Sequence, residues 1–293
     1  MFMKKSKAKP WFSLDDSILA EIWEAVWKHD EIRCVDIDNF SISVQEGSVQ
    51  LYGHINREDN LELIEKVVRS VPGVIAVENR LVVDRELSHQ VAEAFARDER
   101  TRPFILLVNC FHGWVSLDGQ VPSCELQLAA EEDAAHIPSV RGVVSLPRVA
   151  GQPPEALRRA VQPRIDTPLY GRDGEVGVVS QVVIQPRNRL VTQIIVRDLR
   201  QEKYLIPVEA LQVVNTGSAF LDRSFASLAA FPALTPADFS PAPSNWNPPY
   251  PYKPAEVLWP AHADQDHSVF DSTTNRKTIQ GVHDEQLKTA CPK

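Results

Sequence analysis

Gly47-Ser48-Val49-Gln50-Leu51-Tyr52-Gly53 decides the fold, because its frame G-x-V-x-L-x-G returns about 66 residues later as Gly113-Trp114-Val115-Ser116-Leu117-Asp118-Gly119. Apolar residues at every second position, between glycines that tolerate positive φ, describe a strand with one buried face entered through a tight turn. Each copy therefore reads as the second arm of a hairpin. Phe40, Ile42 and Val44 alternate before the first copy, and Leu106, Val108 and Cys110 do so before the second. Further on, Val71-Pro72-Gly73-Val74 is matched to Val140-Arg141-Gly142-Val143, with about three extra residues in between. The shared spacing implies a tandem duplication. Gly47, Gly53, Gly73, Gly113, Gly119 and Gly142 are read as structural turn glycines, since a phosphate cradle needs several amides converging at a helix N-terminus.

The chain has 293 residues, enough for two or three small domains, and a formal charge of −8. About −9 of that falls in residues 14–84, about −3 in 85–149 and about +1 in 150–222. The first domain should therefore repel nucleic acid and anionic lipid. Cys34, Cys110, Cys124 and Cys291 lack CxxC spacing, which suits a reducing compartment. Lys4, Lys5, Lys7 and Lys9 are followed by no signal-length apolar run, and no stretch spans a membrane. These features predict a cytoplasmic protein.

Read in order, residues 1–13 are a disordered basic start. Residues 14–84 and 85–149 are two α+β sandwich modules of helix, strand, strand, helix, strand order. The second has weaker helical patterning, and Pro147 interrupts its last strand. Residues 150–162 form a linker. Residues 163–217 change to short strands and turns that fit a small β-barrel. Residues 218–293 are expected to be a mostly disordered, proline-rich tail, with one short amphipathic helix near Phe220 to Phe231.

The duplicated unit resembles the BON domain, a bacterial module often found in tandem. That resemblance implies a binding role associated with envelope integrity and phospholipid attachment. Residues 163–214 resemble a PRC-barrel through Pro168-Leu169-Tyr170-Gly171, Asp173-Gly174, the run Val176 to Ile184, and Leu205-Ile206-Pro207-Val208-Glu209-Ala210-Leu211. This implies docking to other macromolecules. Neither resemblance brings a catalytic residue, a metal site or a cofactor.

Candidate contact residues are consequently surface groups. Arg187, Arg189, Arg197, Arg200 and Lys203 fall on two turns of the barrel and are expected to gather into one basic surface. Trp27 and Trp114 are candidate aromatic anchors. Arg97, Arg100 and Arg102, beside Phe95 and Phe104, offer a less acidic face to a membrane. His262, Asp264, Asp266 and His267 read as a solvated polar run, and Cys110 and His112 as residues sharing a strand face. Pro248 to Pro254 has the PxxP spacing of groove ligands and is read in preference as a plain spacer. The reading is a non-enzymatic, cytoplasmic binding or scaffold protein with a protein partner. The alternatives are a peripheral phospholipid-binding protein at the inner face of the membrane and an RNA or ribosome accessory factor acting through the barrel.

Overall fold

The computed structural model describes residues 13–153, 156–214, 217–221, 231–232 and 234–261. These form two compact units. One holds residues up to Leu87 together with Cys110–Gly113, and the other holds Ser88–Asn109 and Trp114 onward.

The first unit begins with α1 (Leu14–Trp27), whose Ser13 and Asp16 form a capping box. The short α2 (Asp30–Arg33), β1 (Phe40–Gln45), β2 (Ser48–Ile55), α3 (Glu58–Arg69) and β3 (Ala76–Val83) follow. The sheet order is β1-β2-β3, with β1 antiparallel and β3 parallel to β2. One face buries Phe40, Val49, Leu51 and Ile55 against Ile18, Ile22, Ile64 and Val68 of the helices.

The second module repeats that order as α4 (Asp84–Arg97), β4 (Leu106–Phe111), β5 (Trp114–Val121), α5 (Cys124–Ala135), β6 (Gly142–Ser145) and β7 (Arg148–Val149). Pro147 divides its last strand, as expected. Val49 and Val115 are both fully buried, and Leu51 and Leu117 match them one step on. Val49 pairs with Val77 and Val115 with Val143, a separation of 28 residues in each copy. The true equivalent of Val140 to Val143 is therefore Val74 to Val77, not Val71 to Val74. The three-residue difference between the copies lies earlier, between first helix and hairpin, where the first copy carries α2.

Two aspartates tie each first helix to its own hairpin. In the first copy Asp15 accepts the amides of Glu46 and Gly47 at 2.8 and 2.9 Å. In the second, Asp84 accepts those of His112 and Gly113 at 2.7 and 2.9 Å. Both turns have positive φ at their two central residues, the conformation that matches strand twist. His112 is therefore a turn residue and does not share a strand face with Cys110. Gly53 and Gly119 are not turn glycines either. They lie inside β2 and β5 at φ 126° and 129°, where a Cβ would strike the Asn39 and Ile105 carbonyl oxygens.

The rest of the second unit is a curled sheet. Its strands are β8 (Pro168–Gly171), β9 (Gly174–Ile184), β10 (Val191–Asp198), β11 (Lys203–Pro207), β12 (Leu211–Val214), β13 (Ala219–Leu221), β14 (Phe239–Pro241) and β15 (Val257–Pro260). The main order is β11-β10-β9-β8-β13-β12. The apolar run of β9 has no alternation because both of its faces are covered: Val179, Val182 and Ile184 enter the large core, and Val183 a smaller one with Ile195 and Leu205.

The expectation that order ends near Gly217 fails for residues 234–261. β15 pairs in parallel with Val182 and Val183 of β9, beyond the stretch of β9 that β8 covers, and β14 pairs with β15. Tyr252, Val257 and Trp259 sit in the barrel core, and the Tyr252 hydroxyl donates to the Pro163 carbonyl at 2.8 Å. Pro248 and Pro249 are buried, so this PxxP stretch is not presented to a groove. Proline content masked a handful of large apolar side chains that repay the ordering entropy. Phe220 and Leu221 are strand, not helix. The expected linker is also held at residues 158–159: Arg158 donates its amide to the Val144 carbonyl at 2.8 Å, and Arg159 spans the Val208, Leu211 and Gln212 carbonyls. The His262 to His267 run lies outside the described residues.

Two stability outcomes follow. Asp84→Ala leaves two buried amides without their acceptor and should lower unfolding free energy by about 2–4 kcal/mol, against about 1 kcal/mol for Asp15→Ala at its more exposed turn, by urea unfolding. Trp259→Ala should cost about 3–5 kcal/mol, the magnitude of a core cavity. A change within about 0.5 kcal/mol, as for a surface position, would show that the segment is not part of the fold.

Candidate functional site

The five basic residues expected to form one surface do not. Arg187 and Arg189 lie on the β9–β10 turn and Arg197, Arg200 and Lys203 at or beside the β10–β11 turn, at opposite ends of an eight-residue strand. At about 3.3 Å per residue the two turns are roughly 25 Å apart. Arg189 is only 2% exposed. Its guanidinium donates to the carbonyls of Ala135 (3.4 Å), Pro138 (3.1 Å) and Asn247 (2.8 Å) and stacks on Trp246 at 5.1 Å. Burial pushes it down to about 10, so it stays charged at neutral pH, close to the negative end of α5. Arg187 faces the fully buried Glu131 at 3.4 Å, and Arg158 closes on the same carboxylate.

The aromatic candidates differ. Trp27 is 51% exposed at the end of α1. Trp114 is half-buried, and Arg141 lies over its ring at 5.0 Å while also lying over Tyr250 at 5.3 Å. Arg97 pairs with Glu93 one turn back. Arg100 is ringed by Asp98 (2.6 Å), Asp133 (3.5 Å) and Glu132 (3.6 Å), so its charge is largely spent within the unit. Arg102 is exposed.

Sequence reasoning missed three features. The first is the solvent face of β4, an edge strand of its sheet. Ile105 (85% exposed), Leu107 (57%) and Phe111 (59%) project at alternating positions with Asn109 between them. The corresponding face of β1 carries Ser41, Ser43 and Gln45. Reading the outward residues of the two copies side by side would have found it.

The second is a buried polar cluster in the first unit. Asp36 accepts from the Asn56 amide (2.9 Å) and Asn60 Nδ2 (2.5 Å) and meets His112 Nε2 at 2.8 Å. Burial alone would push the Asp36 carboxyl up, but the bonds from His112, Asn56 and Asn60 outweigh it and hold the group below its usual range. His54 packs its ring on Gly113, leaving no room for a Cβ there.

The third is a cleft of about 730 Å³ in the second unit, where α5, the β9–β10 turn and residues 243–247 meet. Arg100, Glu132, Arg187, Arg189, Trp246 and Trp259 line it. Among the described residues no group of three or more His, Cys, Asp or Glu side chains is placed to hold a metal, and no helix is long and apolar enough to cross a membrane. Cys34 is exposed and free, and Cys124 is disulfide-bonded.

Residues 15–85 and 84–151 each match the BON domain family, and the matches begin at Asp15 and at its equivalent, Asp84. Residues 15–151, just under half of the chain, are therefore similar to two BON domains in tandem. No curated protein sequence matches it. Among solved structures it is similar to the C-terminal domain of CdsD, the structural protein of the type III secretion system of Chlamydia trachomatis. That likeness has 13% identity and a TM-score of 0.38, and covers 46% of this chain and 66% of that one. A second structure of CdsD aligns at 12% identity and a TM-score of 0.30, over 38% of this chain and 49% of that one.

The acidic ring around Arg100 has a pH signature. Burial, reinforced by the Asp98 charge, pushes the Asp133 carboxyl up to about 6, against the opposing bond from Thr101. The Arg100 bonds hold Asp98 down at about 2. A raised folded-state value means the fold prefers protonated Asp133, so its contribution to stability is present below about pH 4 and is lost as pH rises toward about 6. Asp133→Asn should flatten that part of the stability-versus-pH curve and raise stability above pH 6. Thermal melts between about pH 4 and 7 check it.

Proposed function

We propose that this protein is a non-enzymatic binding or scaffold protein whose BON domains and curled, PRC-barrel-like sheet dock macromolecular partners, with another protein as the main partner. BON domains are binding modules, which is the coarse part of the reading. The observation that carries the finer part is the outer face of β4. It offers an edge strand that carries an alternating row of large apolar side chains, the combination used when a partner strand adds to a sheet. Its counterpart in the first domain is polar, so the row is not a requirement of the fold.

RNA binding loses its support here, because the basic residues that suggested it are divided between two distant turns and Arg189 is buried. Phospholipid attachment keeps one observation, exposed Arg102 near the same apolar row. The net charge of about −9 over residues 14–84 opposes it. A place in the cytoplasm, at the inner face of the membrane when a lipid is bound, belongs to the same proposal.

The test compares the full chain with the double variant Leu107→Asp, Phe111→Asp. Both positions are exposed, so stability should change by less than about 1 kcal/mol. A protein captured from cell extract by the parent chain should fall at least about tenfold with the variant, the change expected when about 1.4 kcal/mol of binding is removed. Equal capture by both chains would reject the β4 surface. Capture by anionic vesicles at low salt, lost in the variant while protein capture persists, would replace the protein partner with lipid.

A further inference from the structure

The chemistry of β4 also selects what docks on it, given the reading of that strand as a docking edge, on which this assignment rests. From Pro103 to Phe111 nine consecutive residues carry no charge, in a chain of which 24% of residues are charged. A partner chosen for opposite charge therefore finds nothing to read along the strand. What β4 fits is an uncharged strand with large apolar side chains at every second position. Another β4 is such a strand. Its counterpart β1, with Ser41, Ser43 and Gln45 on the corresponding face, is not.

Pairing geometry favours the same occupant. β4 ends its sheet, with β5 as its one neighbouring strand among the described residues, and the outward positions Ile105, Leu107, Asn109 and Phe111 are all exposed. When two copies of residues 105–111 run antiparallel about a two-fold axis at Val108, every residue has an opposite: Ile105 faces Phe111 of the other copy, and Leu107 faces Asn109. The two rows then lie side by side on one face, and the three large apolar side chains of each copy leave water together. Such a contact is isologous, so it closes at two copies and does not propagate into a fibre. An uncharged edge is otherwise open to unlimited pairing, and closure removes that liability.

Charge fixes how the contact behaves. Each copy has a formal charge of −8, and none of the charged residues lies on β4. Two copies therefore repel at long range while their strands attract at contact, so added salt strengthens the pair. Binding to an oppositely charged partner would weaken instead. A contact of one strand from each copy is at the low end of interface size, which places its dissociation constant at about micromolar.

We propose that two copies of this chain associate through β4, antiparallel and centred on Val108, as a homodimer.

Sedimentation equilibrium of the full chain from about 1 to 300 μM should show the average mass rising from that of one chain and levelling at that of two. Association should be tighter at about 0.5 M NaCl than at about 0.05 M. Ile105→Lys and Phe111→Asp, each alone, set a charge against an apolar side chain and should weaken the dimer at least about tenfold, with an unchanged melting temperature because both positions are exposed. Mixed in equal amounts, the two variants should recover most of the association, since the introduced charges then face each other across the pair. A dimer indifferent to both substitutions, two weakened variants that do not recover on mixing, or growth past two copies overturns the proposal. So does a chain that stays monomeric throughout. In that last case, loss of protein capture from extract by the Leu107→Asp, Phe111→Asp chain leaves the docking edge standing with a different protein on it, whereas undiminished capture removes both readings.

Discussion

A carboxylate at the start of a helix, accepting both amides of a two-residue hairpin turn, is the interaction on which the repeated architecture depends. A turn with positive φ at both central residues points two N–H groups the same way, and in the second copy both are buried away from water. One aspartate with two oxygens satisfies the pair and fixes the angle between first helix and hairpin at the same time. Asp15 and Asp84 do this at 2.7–2.9 Å in both copies. Once helix and turn are joined, β2 or β5 is aimed so that Val49 or Val115 enters the core. The crossover helix then returns the chain to the parallel partner after the same 28 residues.

That interaction was legible only in part. The alternation of Val49 and Leu51 and its echo at Val115 and Leu117 fixed strand, turn and repeat, because a one-residue shift would turn every buried side chain outward. Nothing in the sequence marks Asp15 or Asp84 as more than acids near the start of a helix, and their reach to a turn about 30 residues away is a tertiary fact. Matching V-x-G-V by eye put the copies three residues out of register. A glycine that ends a helix at Gly73 and one that makes room for Leu190 and Trp114 at Gly142 share a letter but not a cause. α5 gave a weak pattern because it is buried on more than one side: Ala129, Ala130, Ala134 and Ala135 are covered, and Glu131 is buried facing Arg158 and Arg187.

The same difficulty explains the contact surface that dissolved. In sequence, Arg187, Arg189 and Arg100 are cations on turns and helix ends, where solvated charge is the ordinary outcome. In the fold each finds an acceptor close by: a helix C-terminus for Arg189, buried Glu131 for Arg187, an acidic ring for Arg100. Arg141, between Trp114 and Tyr250, belongs to the same group. Planar guanidinium groups suit this use, since one face stacks while the edge donates. They also connect segments that composition separates. Asn247 and Tyr250, from the proline-rich stretch, are held by arginines from the β9–β10 turn and from the start of β6. Proline content predicts an extended chain but not whether that chain lies on something.

Duplication gives the remaining contrast its meaning. Two copies built on one frame face the same demands inside, and their buried positions agree: Val49 with Val115, Leu51 with Leu117, Gly53 with Gly119. The outer faces have no such constraint, and there they part, Ser41 and Gln45 on β1 standing against Leu107 and Phe111 on β4. An exposed apolar row on an edge strand is a liability for solubility, and proteins ordinarily blunt such edges with charge or bulges. The polar β1 shows that this frame can carry the blunted version. A difference confined to solvent-facing positions, in the direction that costs solubility, does not come from any need of the core.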